Sequence, residues 1–135
     1  MNIVERYMNQ HKIVLSLCSA LQEAAEFGVN EKDFSSYVSV LNTLDDILSA
    51  HLESEDTYFY PDLAENEDSV IQTTSQRLQE EMSPISKVYK QYKKKYEISE
   101  NILEDEVTFL KETRFLVKAL YNRIEKEEKE LYSLL

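Results

Sequence analysis

Apolar side chains recur every three or four residues along four long segments of the chain, with polar side chains between them. Three polar stretches, at 27–33, 64–69 and 96–101, interrupt this pattern. Such spacing is typical of amphipathic helices that bury one face. Because long helices joined by short connections pack as antiparallel neighbours, the pattern predicts an all-α fold, an up-down-up-down antiparallel four-helix bundle.

Turn-forming and capping residues support these boundaries. Gly28 is suited to end the first helix, and Asn30 or Asp33 is suited to begin the second. Ser99 is a candidate cap for the last helix. Pro84 falls inside the third helix, where it removes a backbone donor and is expected to kink the helix or to disturb its hydrogen bonds.

Composition narrows the class of protein. The chain has 135 residues, with one Gly, two Pro and one Cys. So few chain-breaking residues leave little room for the turns of an all-β protein, and the length suits a single domain over residues 1–135. One Cys forms no internal disulfide, which fits the reducing cytoplasm. The N-terminal residues lack the pattern of a signal peptide, and no apolar run is long enough to span a membrane.

The net charge of −11 disfavours binding to nucleic acid and to anionic membranes. No glycine-rich phosphate loop and no nucleophile–base pair can be assembled from the sequence, which disfavours an enzyme. The basic run at 90–97 is either a solvated helix end or a docking patch for an acidic protein partner. The pattern leaves the oligomeric state open.

Five polar side chains fall where the apolar stripes require buried residues. These side chains are His11, His51, Glu55, Arg123 and Glu127. Buried polar groups need hydrogen-bond partners, and buried charges need counter-charges. We therefore expect these five side chains to satisfy one another or to share an ion.

The ends of the second and fourth helices repeat one pattern. Residues 51–63, HLESEDTYFYPDL, align with residues 123–135, RIEKEEKELYSLL, at four identical positions. Glu55 pairs with Glu127 in this alignment, and the leading His of the first copy is Arg in the second. The repeat therefore places the two inward-facing carboxylates, Glu55 and Glu127, at equivalent positions of the two copies.

The spacing of these residues suits a metal ion. His51 and Glu55 are four residues apart, so they lie on one helix face, one turn apart. Imidazole together with carboxylate suits iron, zinc or manganese. His11 on the first helix would add a second imidazole, and Glu127 on the last helix a second carboxylate. The sequence thus predicts a candidate metal site of His11, His51, Glu55 and Glu127. Four tyrosines are candidates to flank it: Tyr58, Tyr60, Tyr89 and Tyr92.

These motifs resemble those of the hemerythrin-like (HHE cation-binding) domain family. The resemblance rests on H-x-x-x-E followed by aromatics and Pro in HLESEDTYFYP, on a lone His in the first helix, and on EKEEKELY in the last. It extends to chain length, number of helices and motif order. The resemblance implies a four-helix bundle around a non-heme di-iron centre, with a role in binding or sensing oxygen or nitric oxide, or in handling iron.

The resemblance also indicates which ligands the chain keeps. His11 matches the family's first His, His51 and Glu55 match its H-x-x-x-E motif, and Glu127 matches its last carboxylate. Glu81 keeps the acid of the third-helix motif. The three remaining His positions are occupied by other residues, namely Leu78, Met82 and Arg123. By this resemblance, the chain keeps every protein ligand of one iron and both bridging carboxylates, and it lacks all three His of the other iron.

The resemblance therefore implies a site with fewer ligands than the family's, which holds at most one metal ion, iron or another divalent metal, and not a di-iron centre. A site with one metal ion fits the sensing of oxygen or nitric oxide, or iron handling, better than oxygen carriage. An oxidoreductase is the weakest hypothesis. The alternative is a metal-free bundle that acts as a non-enzymatic protein-interaction module. In that alternative Arg123 bridges Glu55 and Glu127, and the two His bond the same carboxylates. An Arg123 that turned outward would leave the site to a metal.

Overall fold

The computed structural model describes residues 2–30 and 32–135, and these residues form helices and turns without a strand. The all-α prediction is confirmed. The α-helices are α1 (Ile3–Phe27), α2 (Phe34–Ser54), α3 (Tyr60–Ala64), α4 (Ser69–Tyr96), α5 (Ser99–Glu104) and α6 (Glu106–Lys126). Two π-helical turns extend this set, Glu55–Phe59 between α2 and α3 and Glu127–Leu131 after α6, and a 3₁₀ turn, Tyr132–Leu134, ends it.

Local chemistry explains most of the helix boundaries. Gly28 ends α1 with a φ of 108°, in the region that favours glycine, as its position predicts. Asp33 occupies the first boundary position of α2, although its side chain makes no capping bond there. The expectation that Ser99 caps the last long helix is wrong. Ser99 begins the short helix α5, and Asp105 caps α6 by accepting a hydrogen bond from the Thr108 amide.

The helix α4 continues across Pro84. Proline lacks an amide donor, so one carbonyl in the preceding turn loses its usual partner. Asp68 begins the helix by accepting a bond from the Val70 amide, and three lysines in the last turn favour its carbonyl end. These terminal features stabilise a helix that contains proline near its middle.

Cross-helix bonds show how the long helices are oriented. The helix α1 packs against α2 and α6, and α4 packs against α3 and α6. His11, early in α1, bonds Glu128 after the end of α6, while Glu26, late in α1, bonds Arg114 early in α6. At both contacts the beginning of one helix lies beside the end of the other, so α1 and α6 run antiparallel. The pairs Arg77 with Glu130 and Tyr92 with Thr113 show the same orientation for α4 and α6.

The interior has two apolar regions with a polar layer between them. The larger region contains Tyr37, Leu44, Phe109 and Leu116, and the smaller is rich in aromatic rings. The five polar residues predicted to face inward are all buried, together with Ser75 and Thr113. The helical stripes therefore identify the buried faces correctly, including their polar interruptions. No helix among the described residues is long and apolar enough to cross a membrane.

The buried thiol of Cys18 gives a test of this packing. Cys18 lies in the larger apolar region at 2% exposure, and burial raises the pKa of its thiol to about 12. We expect the native protein to react with a disulfide reagent at about pH 8 at least ~100-fold more slowly than free cysteine, because thiolate and access are both scarce. The measurement is the rate of thiol release. The same sample in denaturant should react at the free rate; fast reaction of the native protein would contradict the packing.

Candidate metal centre

Four buried side chains from separate parts of the chain converge at the polar layer. His11 comes from α1 and His51 from the end of α2, while Glu55 and Glu127 each begin a π-helical turn. One potential ligand atom from each residue lies within 4.8 Å of the corresponding atoms of the other three. The structure thus brings together all four residues of the predicted set.

The two π-helical turns give the sequence repeat a structural counterpart. The amide of Tyr60 donates to the Glu55 carbonyl, and the amide of Tyr132 donates to the Glu127 carbonyl, each five residues back. Single π turns often occur at functional sites. Both tyrosines contact the buried cluster, Tyr60 through Glu127 and Tyr132 through His11, and each carboxylate begins one of the two turns.

Three donor atoms face one another at short range. The Nε2 atoms of His11 and His51 are 3.1 Å apart, and His51 Nε2 lies 2.5 Å from Glu55 Oε1. His11 Nε2 is 3.9 Å from Glu55 Oε1 and 3.9 Å from Glu127 Oε1. The two imidazoles and the Glu55 carboxylate consequently surround a single point.

The outer nitrogens of both imidazoles are held by acceptors. His11 Nδ1 lies 2.9 Å from a carboxylate oxygen of Glu128, and His51 Nδ1 lies 2.6 Å from the amide oxygen of Gln10. These acceptors require the proton on Nδ1, which leaves a lone pair on each Nε2. Hydrogen bonding of the outer nitrogen is the usual arrangement for histidines that ligate metals.

The converging atoms fit one cation. Two Nε2 lone pairs and a carboxylate oxygen repel one another unless a positive charge lies among them. Glu55 Oε1 makes no hydrogen bond of acceptable geometry within the described residues, so it is a buried acceptor that needs a partner. A small cavity of about 10 Å³ adjoins both His and Glu127, roughly the volume of one water-sized sphere. The four side chains could therefore hold a metal ion.

Arg123 occupies the opposite side of the carboxylates. Its Nη2 atom donates to Glu55 Oε2 at 2.6 Å, and its Nε atom lies 3.5 Å from Glu127 Oε1. Its Nη1 atom is 3.5 Å from the Met82 carbonyl, and Tyr60 donates to Glu127 Oε2 at 2.9 Å. Arg123 thus points inward, and the alternative in which it extends to solvent is wrong.

Apolar side chains fill the space beside Arg123. Leu78 and Met82 are buried in the smaller apolar region, against Phe59, Leu131 and Tyr132 among others. They offer no nitrogen or oxygen donor from their side chains. The acid of the same helix segment, Glu81, is 41% exposed and pairs on the surface with Arg77 and Lys126. Glu81 therefore lies outside the cluster.

The two carboxylates have different electrostatic surroundings. Burial alone would raise the pKa of Glu55, but the adjacent imidazoles of His11 and His51 and the charge of Arg123 outweigh burial and hold that pKa well below its usual range. The pKa of Glu127 is raised, by burial first and by the neighbouring Glu55 charge second, with Arg123 offsetting only part of the effect. Of the two carboxylates, Glu55 is thus the one whose ionised form the site favours.

Several contacts in the site were not predicted from the sequence. Gln10 and Glu128 hold the outer nitrogens, and Tyr132 stacks on His11 with ring centroids 5.6 Å apart. Tyr7 meets the edge of His51 at 4.8 Å. Of the flanking candidates, Tyr60 reaches the site. The others do not: Tyr58 is 66% exposed, Tyr89 bonds Asp45, and Tyr92 bonds Thr113.

Comparisons with known proteins agree with this geometry. The family described as the hemerythrin HHE cation binding domain matches residues 2–135. No curated protein and no solved structure gives a significant match. Since the family match covers nearly the whole chain, and two His and two Glu come together in an all-α bundle, the chain belongs to the hemerythrin HHE cation-binding domain family.

Proposed function

We propose that this protein binds a single metal cation, with ferrous iron as the expected metal. The observation that carries the proposal is the convergence of His11 Nε2, His51 Nε2 and Glu55 Oε1, with both outer nitrogens already bonded. Glu127 is the fourth member of the set. Two imidazoles with carboxylate oxygen suit iron, manganese or zinc.

A mononuclear site fits a sensing or iron-handling role better than oxygen carriage by two irons. A ferrous ion held by His11, His51 and Glu55 would keep coordination positions that the protein does not occupy, and a small ligand such as oxygen or nitric oxide could bind there. The chain's own residues shape that environment: Tyr7 and Tyr132 pack on the imidazoles, and the cavity is closed by apolar side chains. These contacts orient the ligands and exclude bulk water.

A second candidate is a metal-free bundle that acts through its surface. The observation that favours it is the bonding of both carboxylates without an ion: Arg123 to Glu55 at 2.6 Å and Tyr60 to Glu127 at 2.9 Å. Arg123 then supplies the positive charge that the buried pair requires. In this candidate the cluster is structural, and partners bind elsewhere.

Metal content distinguishes the two candidates. Untagged protein from iron-supplemented cells should contain about one metal ion per chain, because the donor set and cavity fit one. His51→Ala removes a donor and should lose the metal. Elemental mass spectrometry measures both.

Two matched single variants, Glu81→Gln and Glu55→Gln, accompany that experiment. Glu81 is exposed on the surface, so Glu81→Gln should leave the metal content unaltered. Glu55 is buried in the cluster, so Glu55→Gln should lose the metal. Metal-free parent protein, or equal metal content in all variants, would reject the mononuclear site and favour the metal-free bundle.

Restoring the three missing imidazoles tests the assignment of the third helix. The combined change Leu78→His, Met82→His and Arg123→His should raise the content to about two metal ions per chain, because it adds three donors and removes a fixed cation. Arg123→His alone, with two donors fewer, should remain at about one. A folded triple variant that still binds one metal would show that Leu78 and Met82 do not face a second site.

Removal of the Arg123 charge tests the ion network in metal-free protein. Arg123→Leu leaves two buried carboxylates without their cation, and we expect the free energy of unfolding to fall by about 3–5 kcal/mol. Denaturant unfolding in the presence of a chelator measures it. Arg77→Leu is the control, since Arg77 makes only exposed ion pairs and should change stability little. Equal stability of the two variants would contradict a network that depends on Arg123.

A further inference from the structure

A cleft of about 430 Å³ opens beside the buried cluster, between α4 and the segment that runs from the first π-helical turn into α3. Its α4 wall carries Lys87, Lys90 and Lys94, and its opposite wall contains Asp56. The buried guanidinium of Arg123 also lines it. Four cations and one carboxylate therefore border a concave space on a protein whose net charge is −11.

The three cleft lysines lack counter-charges. Lys93, between them in sequence, pairs with Glu97 at 2.6 Å. Lys87, Lys90 and Lys94 are exposed and form no ion pair with any described residue. Like charges on one helix face repel one another, so their alignment is unfavourable unless an anion lies against them.

The spacing of the lysines suits an extended anion. Positions 87, 90 and 94 lie on one helix face and span about 10 Å along it at the helical rise per residue. Ser83 and Ser86 continue the same wall toward Arg123 with small hydroxyl side chains. Arg123, at the end of this wall, is already bonded to Glu55 and lies 3.5 Å from Glu127, so the exposed lysines supply the uncompensated positive charge of the cleft. The wall thus offers a line of ammonium and hydroxyl donors to a ligand in the cleft.

We propose that this cleft binds a small linear polyanion, a chain of linked phosphate groups such as inorganic triphosphate or the phosphate tail of a nucleotide. Lysine acts on phosphate as a point charge and does not need the paired geometry that a carboxylate prefers with arginine. The volume lies within the usual range for small-molecule pockets. The inference goes beyond the metal site and does not depend on whether a metal is bound.

Calorimetric titration with inorganic triphosphate tests the proposal. Chelator-treated protein is used at low ionic strength, because triphosphate also binds metal ions and salt screens exposed charges. We expect one site per chain. The variant with Lys87→Gln, Lys90→Gln and Lys94→Gln should bind at least about tenfold more weakly, since three charge contacts are lost. These lysines are exposed, so the helix should persist, as thermal melting can verify.

A matched variant separates the cleft from general charge. Lys12→Gln, Lys111→Gln and Lys118→Gln change the net charge equally at exposed positions outside the cleft, and affinity should stay within about twofold of the parent. Ser83→Tyr fills the cleft without altering charge and should also abolish most binding. No binding by the parent at millimolar triphosphate, equal loss in both lysine variants, or normal binding by Ser83→Tyr would each overturn the proposal.

Two further ligands identify the class of anion. Adenosine triphosphate that binds more tightly than triphosphate would support the proposal with a nucleotide as the source; equal affinity would support it with the phosphate chain alone. A polyglutamate peptide that binds more tightly than either would overturn it in favour of an acidic protein partner.

Discussion

The burial of two carboxylates at the centre of the bundle is the constraint on which the rest of the structure depends. Glu55 and Glu127 are almost fully shielded from water, where an ionised carboxylate is costly without counter-charges and hydrogen bonds. Imidazoles lie on one side of the pair, and Arg123 and the Tyr60 hydroxyl lie on the other. Because these partners come from α1, α2, α3 and α6, satisfying the carboxylates also sets how the helices align with one another.

Arg123 differs from a metal ion in a way that explains the asymmetry of the pair. A divalent ion can contact two carboxylates equally, whereas a guanidinium carries one charge and has a fixed direction for each donor. Here it bonds Glu55 at 2.6 Å and only approaches Glu127, at 3.5 Å. Glu127 is therefore left partly uncompensated and takes the Tyr60 hydroxyl instead. The pKa values of the two carboxylates shift in opposite directions chiefly because the imidazoles lower that of Glu55, whereas burial and the Glu55 charge raise that of Glu127.

The sequence predicts those features that follow from the regular helical repeat. Burial of His11 and Glu127 follows from spacing, because an inward position remains inward when the helix continues unchanged. The π-helical turns alter that repeat over five residues without a characteristic residue type, so the approach of Tyr132 to the cluster was not foreseen. The contacts of Gln10 and Glu128 were not predicted for another reason. Polar residues beside a buried stripe are common, and only the fold reveals which of them contact an imidazole.

The hydrogen bonds to Nδ1 of His11 and His51 determine which partner their Nε2 atoms need. With Glu128 and Gln10 both accepting from Nδ1, neither Nε2 atom carries a proton to donate to the other at 3.1 Å. A metal ion would accept all of these lone pairs at once. One half of the centre thus holds a cation that belongs to the chain, Arg123, and the other half presents donor atoms that suit a bound metal ion.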